Sequence, residues 1–102
     1  MGNDIQVTNN TKLKRFETEV NGEFAYVEYG HYRKSLVLIH TFVPESARGE
    51  GIAAKLIKYV LEAAMENDTR IVPICPVVAK YIKLHPEYEV LVDTTYPYKK
   101  EL

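Results

Sequence analysis

The stretch that decides the fold is Val43 to Ala53, V-P-E-S-A-R-G-E-G-I-A, which joins a strand-like run to an amphipathic helical run. Pro44 has no backbone N–H and cannot continue a sheet ladder, so the strand is predicted to end there. Gly49 and Gly51 allow the backbone to turn tightly and to approach a ligand with no Cβ in the way. The helix that begins near Gly51 then points its unpaired N–H groups and the positive end of its dipole at this turn.

This turn is predicted to bind an anion. A glycine-containing turn at a helix N-terminus is a common phosphate site, and the Arg48 guanidinium can bind a phosphate through two hydrogen bonds. The spacing is not that of a P-loop, because no Gly-Lys-Ser/Thr follows, and Gly49-x-Gly51 has no third glycine in the dinucleotide-binding position. An ordinary strand-to-helix turn is the alternative explanation of these glycines.

Two parts of the chain together resemble the GNAT superfamily of acyl-CoA N-acyltransferases. Arg48-x-x-Gly51-x-Ala53 is similar to its pyrophosphate-binding pattern, which is Gln or Arg, two residues, Gly, one residue, and Gly or Ala. Cys75-Pro76, followed by His85-Pro86-Glu87-Tyr88, is similar to a short branch of the superfamily, and the likeness extends from about Glu17 to Val92. The resemblance implies that acetyl-CoA or coenzyme A binds, with contacts from Phe42, Val43, Arg48, Gly49, Glu50, Gly51, Ile52 and Ala53.

The composition limits the class of protein. With 102 residues, 46% hydrophobic and 26% charged, the chain is predicted to form a single soluble domain, residues 1–102. A net charge of −1 gives no general attraction to nucleic acid or to a membrane surface. No apolar run is long enough to span a bilayer, and the N-terminus lacks a signal-peptide pattern, so a cytoplasmic location is expected. The single cysteine and the three histidines show no metal-ligand spacing, so no metal site is predicted. We expect a monomer or a weak dimer.

Hydrophobic periodicity predicts the order β-β-β-α-β-α-β. Three strands form an antiparallel meander before the glycine turn, at Leu13–Val20, Phe24–Tyr29 and Leu36–Val43. Asn21-Gly22 forms the first hairpin turn, and Gly30–Lys34 forms the second turn. The first helix has an apolar stripe formed by Ala53, Leu56, Ile57, Val60 and Ala64. A parallel crossover strand, a second helix and a final strand follow, at Arg70–Cys75, Pro76–Leu84 and Tyr88–Val92. Residues 1–11 are predicted to be a loose lead-in, with an edge strand at Ile5 and Val7, and residues 94–102 a tail.

The predicted fold class is α/β (α+β), a GNAT-like mixed, mostly antiparallel sheet with helices on its faces. In that fold the third of these strands and the crossover strand splay apart, and the pantetheine arm of acyl-CoA lies in the gap. Splayed strands leave backbone groups unpaired, and an amide-bearing arm can pair with them. Most members carry two helices between the first two strands, which shape the acceptor site. Here Asn21-Gly22 closes that connection directly. The acceptor side of the sheet is therefore expected to be open, and the resemblance does not indicate which acceptor binds.

Transfer of an acyl group to an amine needs a base, donors to the oxyanion, and an acid for the leaving thiolate. The resemblance implies Tyr81 as the acid; the alternative is a packing tyrosine. Cys75 is a candidate acyl carrier or pocket-lining residue, and the alternative is an inert buried thiol. His40 is the candidate base, because an imidazole ordinarily titrates near neutral pH and Thr41–Val43 contains no carboxylate. Its alternative is a hydrogen-bonded histidine inside the sheet.

Two functions are therefore open. The first is an acyl-CoA-dependent N-acyltransferase that moves acetyl from acetyl-CoA to an amine of a small molecule or protein. The alternative is a CoA-binding interaction module with little or no catalytic activity. Tyr81 and Cys75 favour the enzyme, whereas the absent helices and the absent carboxylate favour the module. The sequence as a whole favours the enzyme.

Overall fold

A computed structural model describes residues 5–98. Its sheet has the strand order β1-β2-β3-β4-β5, formed by Thr8–Asn10, Arg15–Val20, Glu23–Tyr32, Ser35–Phe42 and Ile71–Pro73. β1 to β4 pair antiparallel, and β5 pairs parallel to β4. Helix α1 (Ile52–Glu66) crosses from β4 to β5, and α2 (Pro76–Leu84) follows β5. The predicted mixed, mostly antiparallel sheet is confirmed.

The two hairpin turns differ in how well the sequence predicted them. Asn21 and Gly22 form the first turn with φ of 55° and 79°, as a two-residue hairpin requires. The second turn is shorter than predicted, because Gly30–Tyr32 pairs with β4 and only Arg33 and Lys34 form the turn. The prediction of a turn beginning at Gly30 is therefore wrong.

The register between β3 and β4 shifts by one residue in the middle of the pair. Tyr29 pairs with Leu38, but Glu28 pairs with His40, so Ile39 is an additional residue in β4. Such a β-bulge exchanges the two faces of a strand, because alternate side chains point to opposite sides. In an unbroken register, every second residue after Ile39 would point toward the core. Because of the bulge, these same residues point away from it.

A shared apolar core lies between the sheet and the two helices. The buried residues of α1 are Ile52, Leu56, Ile57, Val60, Leu61 and Ala64. They pack in one cluster with Ala25, Val27 and Tyr29 of β3 and with Val78 and Ile82 of α2. Full burial of each Leu, Ile or Val side chain stabilises the fold by about 1.5–3 kcal/mol. The apolar stripe therefore positions the N-terminus of α1, and with it the glycine turn, at the end of β4. Ala53, which was predicted to belong to this stripe, is only half-buried.

The predicted final strand is wrong. Pro86–Leu91 forms a 3₁₀ helix, and only Val92 then makes a single parallel bridge to Ile71. Pro86 has the φ that starts a helical turn. Tyr88 and Leu91 are three residues apart and both buried, which a helix of three residues per turn places on one side. Tertiary packing of these two side chains has thus overridden the β-propensity of the segment.

The chain ends are partly described. The lead-in does contain an edge strand, but this strand is Thr8–Asn10, which pairs with β2. The prediction of the strand at Ile5 and Val7 is wrong, because these two residues are half-buried against the core. In the predicted tail, the Tyr32 hydroxyl donates to the Thr95 carbonyl at 3.3 Å. Residues 1–4 and 99–102 of the lead-in and tail lie outside the described residues. No helix within residues 5–98 is long and apolar enough to cross a membrane.

Candidate functional site

The turn after β4 is held in a defined shape. Pro44 starts a short 3₁₀ turn, Glu45–Ala47, whose Ala47 N–H donates to the Pro44 carbonyl at 2.9 Å. Gly49 and Gly51 follow with φ of 86° and 76°, in the left-handed region that L side chains rarely adopt. A Cβ added to either glycine would meet no heavy atom within 4 Å. The backbone conformation, and not crowding, is therefore the reason for glycine at both positions.

A cavity of about 240 Å³ lies in this turn. It is lined by Val43, Ala47, Arg48, Gly49, Gly51, Ile52, Ala53 and Ala54. The first helical hydrogen bond of α1 runs from the Lys55 N–H to the Gly51 carbonyl, so the N–H groups of Ile52 to Ala54 have no partner within the helix. The Arg48 Nε donates to the Val43 carbonyl at 3.0 Å, which holds the guanidinium beside the cavity. A free helix N-terminus, a cation and two glycines fit a pyrophosphate group.

Two of the predicted coenzyme A contacts lie elsewhere. Glu50 is exposed and lines a separate cavity against β2. Phe42 ends β4 on the sheet face opposite the core, with its ring 5.3 Å from that of Tyr26. The other six predicted contacts line the cavity in the turn.

β4 and β5 separate before β4 reaches this turn. Their ladder ends at the pair Leu38 and Pro73, and the Cys75 N–H donates to the Leu38 carbonyl at 2.9 Å. Pro76 then starts α2, so the chain leaves the sheet. Beyond this point, Ile39–Phe42 has β3 on one side and no strand of residues 5–98 on the other. The gap leaves one edge of β4 accessible to hydrogen-bonding groups of a ligand.

Cys75 lies at the core side of the gap. Its side chain is 2% exposed, and its Sγ is 3.4 Å from the Thr41 Oγ1. Thr41 faces the core because it pairs with the buried Val27 beyond the bulge. Thr41 has no signal in the sequence that marks it as a site residue, since only the cross-strand register shows which way its side chain points.

Tyr81 lies half-buried on α2, with its ring stacked on His85 at 4.0 Å and 6.1 Å from that of Tyr88. Burial raises the pKa of Tyr81, and the carboxylates of Glu87 and Glu62 raise it further. Within residues 5–98 the hydroxyl forms no hydrogen bond. It is thus a protonated donor with an unused hydrogen bond. The contacts of Tyr81 are with these rings, whereas Cys75 contacts Thr41.

His40 is exposed on the sheet face opposite the core, directly across from Glu28. It lies two residues beyond Leu38, where the ladder with β5 ends, and so about 7 Å further along β4. This position does not match a hydrogen-bonded histidine inside the sheet. His40 therefore belongs to the part of β4 that borders the gap, on the sheet face opposite the core.

Comparison with known proteins decides the family. The sequence profile of the GCN5-related N-acetyltransferases matches residues 15–91. The chain belongs to this family. Protein NATD1 of Gallus gallus is 36% identical over 88 residues, which are 83% of this chain and 80% of that protein. Protein NATD1 of Homo sapiens is 34% identical over 88 residues, or 83% and 78% of the two chains.

A solved structure shows the same fold as this GCN5-related N-acetyltransferase family member. It is the NMR solution structure of a GCN5-like putative N-acetyltransferase from Staphylococcus aureus, with a TM-score of 0.68 over 100% of both chains and 21% sequence identity. In the present family member the β2–β3 connection is only Asn21-Gly22. The sheet face that carries His40 and Phe42 is therefore open beside the gap.

Proposed function

We propose that the protein is an N-acetyltransferase that transfers the acetyl group of acetyl-CoA to an amine. The observation that carries this proposal is the cavity lined by Arg48, the two left-handed glycines and the first turn of α1, which follows the part of β4 that is no longer paired with β5. Membership of the GCN5-related family supports the same function.

The residues divide between two parts of acetyl-CoA. Arg48 and the free N–H groups of Ile52–Ala54 would hold the pyrophosphate by charge-assisted hydrogen bonds. The open edge of β4, Ile39–Phe42, offers backbone groups to the amides of the pantetheine arm, which would extend the sheet as an added strand does. When bound, acetyl-CoA supplies an activated thioester.

Proton transfer is assigned to two side chains of this chain. His40, on the part of β4 that borders the gap, would accept the proton that the amine loses. Tyr81 would protonate the leaving thiolate, and its raised pKa keeps the hydroxyl in the donor form. Cys75 is 2% exposed and contacts Thr41, which favours a pocket-lining role and direct transfer from the thioester. Acetyl-CoA alone should therefore leave no acetyl-cysteine adduct detectable by mass spectrometry of the intact protein.

A CoA-binding module without catalysis is the second candidate. It is favoured by the open face beside His40, because no helices from the β2–β3 connection enclose an acceptor there. Turnover distinguishes the two candidates, since both require the same cavity for coenzyme A.

An NMR titration with coenzyme A tests the binding site. We expect the amides of Gly49, Gly51, Ile52 and Ala53 to shift first, because they surround the cavity in the turn. No shift at millimolar coenzyme A, or shifts confined to other parts of the chain, would contradict the proposal. Assay of acetyl-CoA consumption with a panel of amines then separates the enzyme from the module.

A further inference from the structure

A second gap in the sheet lies beside β2, on the side that carries β1. The ladder between β1 and β2 ends at the pair Thr8 and Glu17, so Thr18–Val20 has β3 on one side and no strand of residues 5–98 on the other. A cavity of about 750 Å³ lies here, lined by Ile5 and Gln6 of the lead-in and by Thr18–Val20. β3 and β4 separate this gap from the one beside β5.

The backbone of Glu19 faces this gap. A two-residue hairpin such as Asn21-Gly22 is closed by a pair that exchanges hydrogen bonds, here Val20 and Glu23. Hydrogen-bonded and non-hydrogen-bonded pairs alternate in an antiparallel ladder, so the next pair, Glu19 and Phe24, exchanges none. The N–H and C=O of Glu19 therefore point away from β3, and within residues 5–98 they have no backbone partner. Such edge groups can pair with an added strand.

The side chain of Thr18 brings an unused hydroxyl to the same cavity. Thr18 is 3% exposed and lines the cavity, and its hydroxyl forms no hydrogen bond with the described part of the chain. No side-chain oxygen or nitrogen of residues 5–98 is sealed from solvent without a partner, so this hydroxyl is reached from the cavity. An enclosed hydroxyl gains stability when a ligand hydrogen-bonds to it.

The two faces of this edge differ in charge. Glu17 and Glu19 lie on the face opposite the core, because alternate strand residues point to opposite sides. Arg15 Nε binds the Glu17 carboxylate at 2.7 Å, whereas Glu19 is exposed and forms no salt bridge within residues 5–98. On the core face, Ile52 and Lys55 of α1 line the cavity. A ligand group on the outer face therefore meets a free carboxylate, and one on the core face meets apolar groups, a hydroxyl and an ammonium group.

We propose that this gap binds an extended peptide of a partner protein, which adds to β2 as an antiparallel strand in continuation of the β1 ladder. The peptide residue opposite Glu19 pairs with its backbone N–H and C=O and is Lys or Arg, whose charge lies beside the carboxylate. The residue before it, opposite Val20, is aliphatic. The residue after it, opposite Thr18, is Ser or Thr, whose hydroxyl pairs with that of Thr18.

The register of the peptide follows from Lys55. A shift of one residue exchanges the two faces of a strand. It would turn the basic side chain of the peptide toward Lys55 and place the aliphatic one opposite Glu19. The preferred sequence is therefore an aliphatic residue, then Lys or Arg, then Ser or Thr.

Three peptides test the inference by NMR titration of the full chain without coenzyme A. The matched peptide is acetyl-Ala-Val-Lys-Thr-Ala-amide. The second has Glu in place of Lys, and the third has a methyl group on the backbone nitrogen of Lys, which removes the N–H that pairs with the Glu19 carbonyl. We expect the matched peptide to shift the amides of Thr18, Glu19 and Val20. The methylated peptide should bind about tenfold more weakly, and the Glu peptide roughly two- to fivefold more weakly.

Variants of the protein separate the two side-chain contacts. Glu19→Gln should bind the matched peptide roughly two- to fivefold more weakly and lose the preference for Lys over Glu. Glu66→Gln, at an exposed position in the last turn of α1, is the matched control and should change neither. Thr18→Val removes an unbonded hydroxyl at constant shape, so its Tm should not fall. It should weaken binding of the matched peptide but not of the peptide with Val in place of Thr.

No shift of Thr18–Val20 at millimolar matched peptide would overturn the inference. Equal affinity for the methylated peptide would also overturn it, because the backbone of Glu19 would then have no role, and so would equal affinity for the Lys and Glu peptides. Shifts of these amides with protein concentration alone would show a second copy of the chain in the gap, and the inference would again be wrong.

Discussion

At the scale of single residues, the direction in which His40 points depends on Ile39. If the register of the Arg33-Lys34 turn continued, His40 would pair with Val27 and point into the core. The additional residue moves His40 opposite Glu28 and moves Thr41 into the core, beside Cys75. One inserted residue therefore decides that Thr41, and not His40, faces the core.

Gly51→Val should abolish coenzyme A binding while the fold persists. Valine at φ of 76° is strained, at a cost of about 1–2 kcal/mol, and its side chain would enter the cavity where the pyrophosphate is proposed to bind. Gly22→Val is the matched control, because Gly22 has φ of 79° and equally open surroundings but lies in the β2–β3 turn. Calorimetric titration of both variants with coenzyme A makes the comparison. A Gly51→Val protein that binds normally would show that the turn has no role in binding.

Tyr81→Phe should lower turnover by roughly 10²–10⁴-fold and leave coenzyme A affinity nearly unchanged, because it removes only the proposed proton donor. Tyr59→Phe, at a 46% exposed position on α1, is the control and should retain full activity. Single-turnover assays with acetyl-CoA measure the effect. Full activity of Tyr81→Phe would assign protonation of the thiolate to another group or to water.

At the scale of elements, the end of the described chain is attached to the start of β4 by Asp93. The Ser35 hydroxyl donates to the Asp93 Oδ2 at 2.6 Å, and the Thr95 N–H and hydroxyl donate to its Oδ1 at 2.9 and 2.6 Å. These bonds, that of Ser35 first, lower the pKa of Asp93 from 3.8 to about 2. The attachment lies at the end of β4 far from the glycine turn, so it serves the fold.

Asp93→Asn should lower the Tm at pH 7. It should also make the decrease in Tm between pH 7 and pH 2 smaller than in the parent protein. Because the pKa of Asp93 is lower in the folded than in the unfolded state, its stabilisation is present above pH 3.8 and is lost as the pH falls toward about 2. Thermal unfolding between pH 7 and pH 2 measures the difference. The control is Asp68→Asn, an exposed residue after α1 at φ of 56°, which asparagine tolerates. If the parent and Asp93→Asn lose stability in parallel below pH 4, Asp93 is not the group that titrates.

At the scale of the whole molecule, one apolar cluster joins the sheet, α1 and α2. Leu56 is fully buried in it, on the helix whose N-terminus forms the cavity wall. Loss of packing there therefore acts on the stability of the sheet and on the position of the proposed coenzyme A site.

Leu56→Ala should lower the free energy of unfolding by about 2–5 kcal/mol in a single cooperative transition. Leu84→Ala, at a 66% exposed position on α2, is the control and should have little effect. Urea unfolding followed by circular dichroism measures both. Two separate transitions in the parent protein would contradict the prediction that residues 1–102 form one domain.

The sequence by itself determined the elements whose signals are local. Asn21-Gly22 defined a hairpin, Pro44 ended β4, and the glycines before Ile52 defined the start of α1, because dihedral preference and a missing N–H act within a few residues. The family resemblance carried by Arg48-x-x-Gly51-x-Ala53 named most of the residues that line the 240 Å³ cavity.

Only the tertiary structure decided the features that depend on register and packing. The bulge at Ile39 has no local signal, and without it neither the Glu28–His40 pair nor the Thr41–Cys75 contact can be derived. The segment after Pro86 became a 3₁₀ helix because the core accepts Tyr88 and Leu91 from one side, against the β-propensity of its sequence. Cross-strand partners are set by the sum of turn lengths and bulges along the whole meander, so a slip of one residue anywhere changes every pair beyond it.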